Sequence, residues 1–78
     1  MKNVINKEAT GLKITRAMQK KNITVCQLAE FLGVSCQAVY KFMKGQSIPS
    51  TRNLFAISQI LGVSMENLLV LNSGFMNN

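Results

Sequence analysis

Between Ser35 and Gly45 the sequence reads SCQAVYKFMKG, and its polar side chains suit recognition better than catalysis. Val39, Phe42 and Met43 fall at i, i+3 and i+4, the spacing of one buried helical stripe. Cys36, Gln37, Tyr40, Lys41 and Lys44 fall largely outside that stripe. A glutamine amide donates and accepts together, a lysine donates, and a thiol is a small apolar group with a weak donor. On its own such a face reads as solvated helix surface. Catalysis has less to work with. The chain has no His and no Asp, and its carboxylate side chains, Glu8, Glu30 and Glu66, are far apart in sequence. General acid–base chemistry usually needs a histidine or a tuned carboxylate pair. No phosphate-cradling Gly-rich loop and no metal-ligand spacing is present. The sequence therefore predicts no enzyme, no metal, no cofactor and no small-molecule ligand.

The chain has 78 residues, enough for one small domain, and 47% of them are hydrophobic, enough for a compact core. Nine basic residues against three acidic ones give a net charge of +6. That excess points to a polyanionic partner, either nucleic acid or an anionic membrane surface. No apolar run is long enough to span a membrane. Regular glycine stops also argue against one long amphipathic helix lying on a membrane. Cys26 and Cys36, without a histidine, make a poor zinc site. The lack of a secretory signal points to the cytoplasm, where disulfides are rare, so both cysteines are read as free thiols.

The helical pattern organises the rest. Residues 1–9 have no clear period and read as an N-terminal arm. A first helix spans Thr10 to Lys21, with Ile14, Ala17 and Met18 inward and Asn22 as its stop. Thr24 opens a second helix, with Gln27 completing a capping box and Gly33 ending it. Ser35 caps a third, Cys36 to Lys44, which stops at Gly45. Ser50 caps a fourth, Thr51 to Leu61, and Ser64 a fifth, Met65 to about Leu71. The expected architecture is all-α with five helices: an arm at 1–9, one domain at 10–71 and a tail at 72–78. The link Gly33-Val34-Ser35 is short enough to force a sharp crossing of helices two and three, as in a helix-turn-helix. Its apolar Val34 is placed to plug the angle between them.

The segments ITVCQLAEFLGVSCQAVYKFMKG and IPSTRNLFAISQILGVSMENLL resemble the Cro/C1-type helix-turn-helix family of phage repressors and many bacterial regulators. The resemblance runs from about Gly11 to Leu69. It implies a five-helix lambda-repressor-like domain, bacterial or phage-encoded, that binds double-stranded DNA and usually acts as a homodimer. The second helix of such a pair lies in the major groove. The family's base-contacting positions fall on Cys36, Gln37 and Lys41. Gln37 suits adenine N6 and N7, Lys41 suits guanine O6 or N7, and Cys36 could meet a thymine methyl. Backbone or flanking contacts are expected from Thr24, Ser35, Tyr40, Lys44, Gln46, Ser47 and Arg52, the last toward the minor groove.

Four positions depart from the family pattern. Val25 stands where relatives often place a phosphate-binding glutamine. Met18 and Met43 stand where relatives carry an Arg–Glu ion pair, so the two methionines are expected to touch. Phe31 replaces a usual polar residue. The dimer contact is expected at Leu68, Leu69, Val70, Leu71, Phe75 and Met76. The resulting reading is a repressor of a palindromic operator. The alternatives are an antitoxin-type autorepressor and a protein-interaction module on the same fold.

Overall fold

A computed structural model of the chain describes residues 5–71. Five helices follow one another: α1 Lys7–Lys21, α2 Val25–Leu32, α3 Cys36–Met43, α4 Thr51–Leu61 and α5 Met65–Leu68. The all-α expectation holds, and the only strand-like pairing among the described residues is an isolated bridge between Ile5 and Leu71.

One local device is used three times. Asn22-Ile23-Thr24, Gly33-Val34-Ser35 and Gly62-Val63-Ser64 each close one helix with a left-handed residue and open the next with a hydroxyl cap. At the middle turn Gly33 has φ +72°, which glycine adopts without a Cβ penalty. Its N–H donates to the Glu30 carbonyl at 3.2 Å, and the Val34 N–H donates to Ala29 at 3.0 Å. These two bonds satisfy helix-end carbonyls in a Schellman closure. Val34, like Ile23 and Val63, is half-buried against the core, so each turn carries its own apolar plug. The core itself is built on Ile14, Leu28, Val39, Ile57, Leu61 and Leu68, all fully buried. Met18 is buried and Met43 packs against the same cluster. The apolar replacement of both ends of the ion pair thus joins the core, where a single unpaired charge would be costly.

Helix α1 starts three residues before the sequence pattern suggests. Asn6 is its cap, accepting from the Ala9 N–H at 3.0 Å, and Glu8 lies in the first turn, where the helix dipole favours a carboxylate. Residues 7–9 are therefore helix and not arm. The last helix is shorter than expected and ends at Leu68. Leu69 is extended, because the chain leaves the helix to pair with the start of α1. The Asn6 N–H donates to the Val70 carbonyl at 2.6 Å, and the Val70 N–H donates to the Thr10 hydroxyl at 3.0 Å. Thr10 is buried, so its hydroxyl needs this partner and the partner needs it. Thr10→Val keeps the shape and removes the acceptor. Thermal unfolding should show a loss of about 1–2 kcal/mol, the cost of one orphaned backbone donor.

Candidate nucleic-acid interface

Three adjoining pieces of the fold carry the polar residues singled out in the sequence: the first turn of α2, the outer face of α3 and the loop that follows α3. The Thr24 hydroxyl accepts from the Gln27 N–H at 3.1 Å, and the Gln27 side chain accepts from the Thr24 N–H at 2.9 Å. This capping box leaves the amides of Val25 and Cys26 as the outward donors at the start of α2. At the start of α3 the Ser35 hydroxyl accepts from the Ala38 N–H at 3.1 Å, which leaves the amides of Cys36 and Gln37. The hydroxyl protons of Thr24 and Ser35 stay available as donors in their own right.

One helical face and the loop beyond it converge on a shallow concavity. It is lined by Gln37, Tyr40, Lys41, Lys44 and Gln46. Gln37, Tyr40, Lys41 and Lys44 share it because residues three, four and seven apart lie on one side of a helix. The Lys44 ammonium sits 6.0 Å from the centre of the Tyr40 ring, within reach of a cation–π attraction that steadies both side chains. No carboxylate is among the residues that line it, and Lys41 and Lys44 supply its charge. Gln46 arrives from the loop because the chain folds back on α3. The Gln46 N–H donates to the Lys41 carbonyl at 2.9 Å, and the Ser47 N–H to the same carbonyl at 3.4 Å. Gln46 thus keeps its side chain exposed on the concavity, and both loop residues spend their amides on α3. Arg52 is exposed in the first turn of α4, outside the concavity.

Two expectations require correction. Cys26 and Cys36 are not free thiols. They are joined by a disulfide, and no described cysteine is left unpaired. The turn at Gly33–Ser35 doubles the chain back, so that the first turn of α3 lies beside the first turn of α2. The two Cα atoms are 5.0 Å apart, within the span a disulfide bridges. Cys36 is thereby tied toward α2 and does not line the concavity with Gln37 and Lys41. The second correction concerns Leu68, expected at a dimer contact. It is fully buried in the core of its own chain. Leu69 and Val70 are half-buried and Leu71 is exposed, whereas Phe75 and Met76 lie outside the described residues.

The bridge spans a sequence separation of 10. Closing so short a loop removes little denatured-state freedom, and the chain-entropy relation gives about 2–3 kcal/mol. Denaturant unfolding with and without a dithiol reductant should differ by that amount.

A sequence profile described as helix-turn-helix matches residues 14–68. The chain belongs to the helix-turn-helix family. It is of the Cro/C1 type, and the matched span runs from the middle of α1 to the end of α5. Among solved structures of this helix-turn-helix fold, the P22 c2 repressor in complex with a synthetic operator is 30% identical. The similarity covers 77% of this chain and 91% of that one, with a TM-score of 0.73. The clp gene regulator ClgR from C. glutamicum is 26% identical, with 80% of each chain covered and a TM-score of 0.71. HppE, solved with cobalt(II) and substrate, is 18% identical, with a TM-score of 0.76 over 83% of this chain and 36% of that one. That last likeness is one of fold alone. No curated protein matches the chain in sequence.

Neither the disulfide nor the inward use of the Gln46 and Ser47 amides was read from the sequence. The first had a signal: each cysteine stands within two residues of a hydroxyl cap, on helices joined by a tight turn. Among the described residues no helix is long and apolar enough to cross a membrane, and no group of three or more His, Cys, Asp or Glu could hold a metal ion.

Proposed function

We propose that this chain is a sequence-specific regulator of transcription that binds double-stranded DNA, acting as a repressor on a palindromic operator. The observation that carries the reading is the carboxylate-free concavity on α3, with Gln37 and Lys41 one helical turn apart and Lys44 and Gln46 at its edge. Gln37 and Lys41 read base edges in the major groove, the amide pairing with adenine and the ammonium with guanine. Lys44, Tyr40, Gln46, Ser47 and the first turn of α2 hold phosphates, and Arg52 reaches toward the adjoining minor groove. The P22 c2 repressor, solved on its operator, supports this role for the shared fold. The protein works in the cytoplasm, where its DNA is.

One such helix reads only a few base pairs, so the regulator acts as a homodimer with its reading helices about 34 Å apart. Leu69, Val70 and Leu71 supply part of the contact. The groove lined by Phe55, Val63 and Met65 lies beside α5 and adds apolar surface that the sequence reading did not assign.

Selection of bound duplexes from a random pool tests the proposal. The expected result is an enriched site with two-fold symmetry, whose affinity falls with salt at a log–log slope of about −0.9 per phosphate contact. A pool that stays random after repeated rounds would overturn it. A second reading, in which the domain docks a protein, would place the contact at Phe31, 63% exposed on α2. Under that reading Phe31→Ser abolishes function while DNA selection finds nothing.

A further inference from the structure

We propose that Cys26 and Cys36 are a reversible dithiol–disulfide couple that alters which base pair the reading helix prefers. The proposal rests on the DNA-binding role given above. Three observations carry it. First, the cysteines are brought together by structure that does not depend on their bond. Cys26 lies within the Thr24–Gln27 capping box, Cys36 follows the Ser35 cap, and the intervening turn is closed by its own backbone bonds with Val34 packed on the core. With the bond open, the two Cα atoms remain about where they are, 5.0 Å apart, so reclosure needs no refolding. Second, the pair lies at the surface. Cys26 is exposed and Cys36 half-buried, within reach of small oxidants and thiols. Exposed disulfides are the labile ones, and a reducing compartment opens them. Third, Cys36 is the first residue of α3 and Gln37 the second, so the couple adjoins the reading face.

The chemistry balances with hydrogen peroxide as oxidant. One thiolate attacks the peroxide oxygen, forming a sulfenic acid and releasing hydroxide, which takes up a proton to become water. The second thiol displaces the sulfenic hydroxyl as another water, forming the S–S bond. Two thiols and one peroxide thus give one disulfide and two waters. A small dithiol reverses the step by exchange, leaving two protein thiols and its own cyclic disulfide. In the reduced state the Cys36 thiol is free to lie against a thymine methyl. In the oxidised state its sulfur is held by α2 and that contact is lost.

The test takes the full chain through both states. Thiols are counted in the folded protein after dithiol treatment and again after peroxide, and duplex selection is run on each form. The expected count is two thiols, then none, over repeated cycles. The reduced form should prefer T·A at one position of each half-site by about fourfold over the oxidised form, the value of one buried methyl contact. Cys26→Ser, with its fold checked by helical circular dichroism, should keep the reduced form's preference in both conditions. Failure of the folded chain to cycle its thiols would overturn the proposal, as would identical sites selected in both states. A chain that cycles yet enriches no sequence in either state would overturn the DNA-binding role and this proposal with it.

Discussion

Gln37→Ala and Lys41→Ala should each relax the preference for one base pair of the selected site while leaving the helices intact. Each removes a side chain that can make two bonds to a base edge, an interaction that contributes about 1–3 kcal/mol of discrimination. The expected loss of selectivity is therefore roughly 5- to 150-fold per variant, read as the affinity ratio between the selected duplex and a random one. The two residues share one concavity, so their effects are not expected to add fully. Lys44→Ala makes the contrast. It should weaken all duplexes alike and lower the magnitude of the salt slope by about one, the signature of a lost phosphate contact. Fluorescence anisotropy at several salt concentrations separates the two patterns. Unchanged selectivity in Gln37→Ala would place the reading head elsewhere.

Gly11→Val should be strongly destabilising. Gly11 is in the second turn of α1, where glycine is a poor helix former by about 1 kcal/mol relative to alanine. Its use there has a packing reason. A Cβ at this position would lie 2.5 Å from the Met43 carbonyl oxygen and would press on the Phe42 carbonyl as well. These are backbone atoms at the end of α3 and cannot swing aside. Valine also adds two methyl groups beyond that Cβ. A loss of about 3 kcal/mol is expected, the upper end of the usual range for over-packing, or a fall in melting temperature of roughly 15 °C. Gly33→Ala is the informative companion. Nothing lies near its Cβ position, so the cost there is only the left-handed backbone, about 1 kcal/mol. A Gly11→Val protein that melts like the parent would mean that α1 and α3 are further apart than the structure places them.

These examples mark what could be read in the sequence. The caps at Thr24, Ser35, Ser50 and Ser64 and the stops at Gly33 and Gly62 were legible because each acts within a few residues of itself. So was the grouping of Gln37, Tyr40, Lys41 and Lys44, which follows from helical periodicity alone. The Asn6 cap was also local and could have been found from Asn6 and Glu8. What escaped depends on distant partners. The early end of α5 is imposed by Thr10 and Asn6. The need for Gly11 is imposed by the carbonyls of Phe42 and Met43. The state of the cysteines depends on where two helix starts come to rest in space. No pattern along a single segment carries that information.

The bond from Val70 to Thr10 joins positions 60 apart in sequence. The pair α2 and α3 can form from contacts within Val25–Met43, whereas this bond must wait for the two ends of the described fold to meet. Contacts between near neighbours form early and distant ones late. The first helix is thus sealed last, by a residue at the far end of the described chain.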